Sequence, residues 1–582
     1  MKKVFEYIKP YTWMLVITTI LLGIEVYTAL IIPGFMADIV NYGVLNGHIP
    51  TIWRNGAWML GITLASMALA ISSGFFTARI TAGVTNSMRE GVFTKVLSFS
   101  SAEVNKFSTS SLMTRTTNDI MQVQNALAMA IRLFIYAPML GIGGIIRAVE
   151  RNVSLTWVVA VATMIMVIIL FCIFIVALPK YAIWQDLVDR LNLISRENLT
   201  GMLISRAFST QKFEKKRFEE ANQTLVKTGI FVDQSFAFLM PSIMLVLNLT
   251  TALIVWIGAR EASAFRIDIG DIFAFLQYGM MIIFAFLMVA IMFIMLPRAI
   301  ISARRIQEVL DTEGSIHFKE NPTPLPSDFK GELAFRNVNF RYPDASDTDE
   351  NVLVNVSFTA KPGTTTAIIG ATGAGKSSLF KLILRFFDVT GGGVYLDGID
   401  IRDLHKEVLH TQIGYVPQKA LLFKGTIESN LMYADSNATT ERIEAAVKIS
   451  QAAGFIAGKP EGYAANVAQG GTNFSGGQRQ RLSIARALVK KAQIYLFDDS
   501  FSALDMKTDA QLRAALKENM GDKTIIVIAQ RVSSIMDADQ IVVLDHGTVV
   551  GAGKHGELLK NCAVYKEIAV SQLSEEEVNA GV

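Results

Sequence analysis

Gly370-Ala371-Thr372-Gly373-Ala374-Gly375-Lys376-Ser377-Ser378 is the stretch on which the reading of the whole chain turns. It follows a β-like run, Thr364 to Ile369, and leads into a helical-looking one, Leu379 to Phe387. The pattern is G-x-x-x-x-G-K-[ST]. Its glycines let backbone N–H groups curl around phosphates, with Thr372 and Ala374 between them. Lys376 reaches the β and γ oxygens, and Ser377 offers its hydroxyl to Mg²⁺. Ser378 and the helix that follows add the positive end of a helix to the same anion site. A strand before and a helix after separate this match from a Gly-rich turn. ATP and Mg²⁺ are the expected cofactors.

The rest of the composition asks what such a site would drive. At 582 residues the chain is too long for one compact domain. Its 51% hydrophobic and 18% charged content lies on the membrane side of soluble composition. A net charge of +3 carries no argument for nucleic acid. Cys172 and Cys562 have no metal-ligand spacing and read as thiols of a reducing compartment. Lys2 and Lys3 precede an apolar run without a small-residue cleavage site, so the first span is expected to direct insertion.

Apolar stretches long enough for a bilayer core of roughly 30 Å recur through the first half. They run at Trp13–Ile39, Trp58–Ile80, Ala128–Ala148, Leu155–Leu178, Phe236–Ile257 and Ile272–Leu296. The third is the least apolar, with Arg132, Pro138 and several glycines. Six crossings return the chain to its starting side. The connections after the second and fourth spans run to about fifty residues, too long for ordinary loops and periodic enough to be helical. Both are rich in Lys and Arg, which favours the cytoplasmic side. Each has a polar break, Phe107 to Leu112 in one and Ser205 to Thr210 in the other. A short transverse helix or a plain solvated tip would suit either.

Ionisable groups inside spans are functional candidates by default. Glu25 is a counter-charge for a cationic substrate or the partner of an arginine or hydroxyl on a neighbouring helix. Met281, Met288, Met292 and Met295 share one helical face, suited to packing or to an adaptable binding surface.

Past Pro297 the hydrophobicity falls, Arg298 to Leu310 continues as a charged helix, and Pro322 to Pro326 marks a linker. The boundaries are 1–310 for an α-helical membrane domain, 311–330 for the linker and 331–582 for an α/β nucleotide domain. In the last, Tyr342 follows a β-like run and is placed to stack on adenine. Gln418 follows another and suits orienting Mg²⁺ or water. Phe474-Ser475-Gly476-Gly477-Gln478 opens a helix whose N–H groups and Ser475 meet a phosphate, from which molecule the residues do not say. Ile494 to Phe497 is an apolar strand ending in Asp498 and Asp499, where Asp498 can hold the Mg²⁺ shell. Ser502-Ala503-Leu504-Asp505 comes directly after.

With these pieces in this order, the chain resembles a half-transporter of the ATP-binding cassette exporter type from end to end. The resemblance implies a type IV exporter fold, with six spans, arms ending in coupling helices, and two cassettes closing head to tail over two ATP molecules. It assigns Tyr342 to adenine, Gln418 to the Q-loop, Phe474 to Gln478 to the signature that serves the partner's ATP, and Ser502 to Asp505 to the D-loop. Two positions depart from the family pattern. A glutamate normally follows the Walker B aspartate, and here stands Asp499. A histidine normally follows the next strand, and here stands Gln530. Withdrawing a carboxylate by one methylene can cost about a hundredfold in rate, and glutamine neither takes a proton nor carries charge. Gln469 and Gly470 also replace a usual glutamate-arginine pair. The pattern resembles the degenerate-site subunit of bacterial heterodimeric multidrug exporters. That implies a second half-transporter as partner, a bacterial plasma membrane and a small amphipathic cargo, with a homodimer of two slow sites, a lipid or peptide exporter, and an ATP-gated channel or regulator as alternatives.

Overall fold

Long apolar runs with few charges leave continuous helix as the economical way to satisfy the backbone of the first half. In the computed structural model, which describes residues 6–319, 321–343 and 350–573, this half is almost wholly helical. Its main helices are α1 (Thr12–Asp38), α2 (Ile49–Leu97), α3 (Ser101–Phe107), α4 (Ile120–Arg151), α5 (Val153–Thr200), α6 (Met202–Ala207), α7 (Gln211–Ala237), α8 (Leu239–Ser263) and α9 (Ile269–Asp311). Among the described residues six helical runs are long and apolar enough to cross a membrane. Five of the expected spans lie inside Lys9–Val44, Ile49–Leu97, Thr109–Arg151, Leu155–Thr200 and Gln211–Ser263; the sixth lies within α9. At 49 residues, α2 is roughly 70 Å long, more than twice the bilayer core, so the arms are continuations of the spans.

The weak apolarity of the third span has a packing cause. α4 runs unbroken through Pro138, and its glycines lie against neighbours. A Cβ on Gly143 would overlap Leu30, and one on Gly144 would come within 2.8 Å of Ile282. Small residues here let α1 and α9 approach closely.

The arm tips do carry short helices, α3 and α6. The first arm breaks earlier than its sequence suggests. Ser100, in extended conformation, caps α3, with Glu103 completing a capping box. The second break, at Ser108 (φ 61), falls in the expected place. Contacts divide the chain into two compact units, Met1–Leu97 with Ser110–Asp311, and Ser98–Thr109 with Thr312–Val582. The tip of the first arm thus belongs to the unit that holds the cassette.

That second unit has twelve strands among its described residues: β1 (Leu333–Phe340), β2 (Leu353–Ala360), β3 (Thr365–Gly370), β4 (Gly391–Leu396), β5 (Ile399–Asp400), β6 (Ile413–Val416), β7 (Gly425–Thr426), β8 (Asn466–Val467), β9 (Ile494–Asp498), β10 (Thr524–Ile528), β11 (Gln540–Asp545) and β12 (Thr548–Gly553). The central sheet runs β12-β11-β3-β10-β9-β6, parallel except at the β12 edge. β9 and β10 are buried along their whole length, as central parallel strands must be. An antiparallel sheet, β2-β1-β4-β5, and the β7-β8 pair complete the strands. The helices that matter here are α10 (Lys376–Ile383), α11 (Gly476–Val489) and α12 (Met506–Asn519). α10 starts earlier and stops sooner than the expected Leu379–Phe387. Gly375 (φ 92) turns the chain directly into it, and Arg385 (φ 51) turns the chain out.

Candidate functional site

Parallel strands bring their carboxyl ends to one edge, which is where open α/β sheets bind ligands. Ile528 of β10 is in register with Asp498 of β9 on one side and Ile368 of β3 on the other. The phosphate loop after β3, Asp498 and Asp499 at the end of β9, Gln530 after β10 and Gln418 after β6 therefore converge. They line a cavity of about 360 Å³, together with Tyr342, Val352, Thr372, Gly373, Gly375 and Ser377.

The loop is shaped for an anion. Gly373 (φ 88) would present a Cβ to open space, and Gly375 (φ 92) has no room for one, with Leu353 Cδ2 at 2.7 Å. A Cβ on Gly370 would overlap the Leu544 carbonyl oxygen. Ala374 is buried, and its N–H donates to the Ala371 carbonyl at 3.2 Å. Lys376 Nζ donates to the carbonyls of Gly370 and Ala371, both at 2.8 Å. Burial pulls the Lys376 pKa down, opposed by the charges of Asp499 and Asp498. An ammonium held by neutral carbonyls inside a glycine-rich loop is ready for a phosphate, a stronger charge-assisted partner.

The acidic side faces it. Ser377 Oγ donates to Asp498 Oδ1 at 3.2 Å. Burial pushes the Asp498 carboxyl above its ordinary pKa, and the neighbouring Asp499 adds to this. A serine hydroxyl, a carboxylate and the Gln418 amide oxygen are hard oxygen donors, so the set fits Mg²⁺. Asp499 is bracketed by amides: Gln530 Nε2 donates to its Oδ2 at 2.8 Å and Gln418 Nε2 at 3.3 Å. Burial raises its pKa as well, against the bond from Gln418.

Tyr342 borders the cavity, its ring edge-to-face with Phe340 (4.8 Å) and Phe387 (5.2 Å). Its hydroxyl lies 2.9 Å from Ser378 Oγ. The signature residues are elsewhere. Ser475 and Gln478 cap α11 reciprocally, at 3.1 and 3.3 Å. Gly476 has open space over its Cα, and neither it nor Gly477 lines the cavity. Asp505 caps α12 through the N–H and hydroxyl of Thr508. The chain thus gathers the phosphate loop, Gln418, Asp498, Asp499, Gln530 and Tyr342, and keeps Ser475 to Gln478 and Asp505 away from them. Sequence reading passed over Lys381, whose place one turn after Ser378 on α10 was the available signal.

In the membrane unit Glu25 has neighbouring-helix partners. Ser73 Oγ donates to it at 3.3 Å, and Arg132 Nη2 lies 4.0 Å away. Of the methionine face, Met281 packs partly buried against a core of α1, α4 and α9; the Met292 and Met295 side chains fall outside the described residues.

Comparison with known proteins points to one family. The family profile described as "ABC transporter transmembrane region" matches residues 15–286, and the one described as "ABC transporter" matches residues 353–502. An uncharacterised ABC transporter ATP-binding protein of Mycobacterium tuberculosis (strain CDC 1551 / Oshkosh) is 38% identical over 570 residues, 97% of each chain. The ATP-dependent lipid A-core flippase of Pseudomonas aeruginosa PAO1 is 29% identical, over 99% of this chain and 96% of its own. A bacterial Atm1-family ABC exporter with ATP bound shares the fold, with a TM-score of 0.77 at 24% identity, covering 97% of this chain and 99% of that one.

Proposed function

Because this chain belongs to the ABC transporter family, as a half-transporter that joins one membrane domain to one ATP-binding cassette, we propose that it is the slow-site subunit of a heterodimeric exporter. The observation that carries this reading is the pair Asp499 and Gln530, bonded at 2.8 Å where the family has glutamate and histidine. A base must reach the attacking water. Asp499 is one methylene short and turned into two amides, and Gln530 cannot relay a proton. Both changes weaken hydrolysis and leave binding intact.

Binding falls to the phosphate loop and Lys376, with Tyr342 under the base. Ser377, Asp498 and Gln418 would hold Mg²⁺, which when bound neutralises charge on the β and γ phosphates. Ser475 to Gln478 complete the site on the partner, where a glutamate and a histidine do the cutting. ATP then closes the two cassettes, the arms transmit closure, and the membrane cavity turns outward. The cargo is a small amphipathic molecule exported across a bacterial plasma membrane.

Steady-state phosphate release tests the asymmetry. The purified chain alone is expected to turn over slowly, and to gain full rate with a partner encoded beside it that carries the missing glutamate and histidine. Brisk turnover by a symmetric homodimer defeats the reading. A lipid cargo is the second reading, favoured by the Pseudomonas flippase among the relatives. It requires ATPase stimulation by lipid in nanodiscs and none by hydrophobic dyes.

A further inference from the structure

Tyr342 stands just beyond the last residue of β1, so no strand pairing holds its backbone in place. Among the described residues, four side chains meet the ring or its hydroxyl. Two are the aromatic edges of Phe340 and Phe387. The third is Ser378 Oγ at 2.9 Å from the phenol oxygen. The fourth is Lys381, whose Nζ donates to the same oxygen at 3.2 Å and lies 5.1 Å from the ring centroid. Lys381 has no carboxylate within ion-pair distance among the described residues, so its hydrogen-bonded partner is this phenol. It is also near enough to Asp498 to pull that carboxyl's pKa down, against the effect of burial. Ser378 and Lys381 are three residues apart on α10, hence on one face of the helix that begins at Lys376. The helix that closes the phosphate site therefore also grips the aromatic at the site's other end.

We propose that Lys381 is a positioning residue for base recognition: by bonding the Tyr342 hydroxyl from α10, its ammonium holds that ring as the surface on which the nucleobase stacks. The proposal rests on the cavity being a nucleotide site and adds the means by which the base is read. A mobile phenol would pay ordering entropy each time a nucleotide arrives, and a tethered one has already paid it. Lys381 lies beyond the phosphate loop and bonds the phenol, so its tether is expected to govern the base and not the polyphosphate.

That separation supplies the test. The full-length chain in nanodiscs is titrated by displacement of a fluorescent ATP analogue, with ATP in one arm and inorganic tripolyphosphate in the other. Lys381→Met is expected to weaken ATP by about three- to tenfold and to leave tripolyphosphate unchanged. Tyr342→Phe keeps the ring and loses the bonded oxygen, so it should give the same base-dependent loss. The double variant should then lose little more than Tyr342→Phe alone, and Lys381→Arg should restore most of the affinity. An equal loss for tripolyphosphate overturns the proposal, because the ammonium would then be meeting phosphate directly. Unchanged ATP affinity in Lys381→Met, or fully additive losses in the double variant, overturns it too. Should Lys381→Met fail to fold, Tyr342→Phe with its two arms decides. A wild-type chain that binds neither ATP nor tripolyphosphate would instead sink the reading of the cavity as a nucleotide site.

Discussion

Asp498 and Asp499 are adjacent carboxylates at the end of a buried strand, and burial raises the pKa of each. For Asp498 the sign of the linkage follows. A carboxyl whose folded pKa lies above its unfolded value binds more protons when folded. Its contribution favours the fold below the unfolded pKa and diminishes as pH rises through the folded one. At neutral pH the ionised Asp498 therefore burdens the nucleotide-free cassette. Asp498→Asn, which can still accept from Ser377, is expected to raise the melting temperature without ligand by roughly 1–3 °C. It should also abolish the Mg²⁺-dependent part of the stabilisation by ATP, both readable in one set of thermal melts with and without EDTA. The wild type should lose Mg²⁺-dependent ATP affinity in acid at a higher pH than an ordinary carboxylate would dictate. At Asp499 the expectation concerns rate. Asp499→Gln should leave most ATPase activity of the assembled complex, whereas changing the partner's glutamate should abolish it. Restoring both groups here, Asp499→Glu with Gln530→His, should raise turnover by the chain alone by about ten- to a hundredfold.

At the scale of elements, α3 shows how a short helix can be held on a domain far from it in sequence. Glu103 is buried, and its two oxygens accept from Ser100 N (2.7 Å) and Ser315 N (2.9 Å). Ser100 Oγ and Ser315 Oγ meet at 2.9 Å. Burial pushes the Glu103 carboxyl up, but these bonds more than offset it and hold the pKa below the ordinary value. A carboxyl lowered in this way contributes stability above its unfolded pKa and loses it as pH falls through the folded one, so α3 should release only in acid. Glu103→Ala leaves two partly buried N–H donors without their carboxylate, at a cost of roughly 1–2 kcal/mol. Hydrogen exchange over residues 98–109 should quicken in that variant while α10 and β9 keep their protection. Unchanged exchange would mean that apolar contacts, such as the stacked Phe99–Phe107 pair, hold α3 instead.

Over the whole molecule, the exposed surface of the helical unit makes sense only in lipid. Leu60, Leu64, Met67, Ile71 and Phe75 of α2 are all exposed on one face, an apolar stripe that water does not tolerate on a soluble protein. Six crossings with the arms on the cytoplasmic side would put the α8–α9 connection outside. Phe265, 97% exposed there, replaced by cysteine in a Cys172→Ser/Cys562→Ser background, should be labelled by an impermeant maleimide in intact cells. Leu203 on α6, 80% exposed, should be labelled only after permeabilisation. The reverse pattern would invert the topology.

Local order of residues was enough for some of this. The phosphate loop, the β9 strand with its terminal aspartates and the six spans were legible, because each depends on spacing along a few turns or a single strand. Pairing across long separations was not. Arg151 at the end of α4 reaches Asp38 (3.5 Å), Asp271 (3.3 Å) and the Gly34 carbonyl (3.3 Å), and no run of sequence brings those together. Nor does any local pattern join Glu103 to Ser315, or Lys381 to Tyr342. Periodicity reports which face of an element is apolar, while the sheet order and helix packing choose which distant polar group that face will meet. Only the folded chain makes that choice, since the cost of burying an unpaired charge is set by neighbours that the linear order does not name.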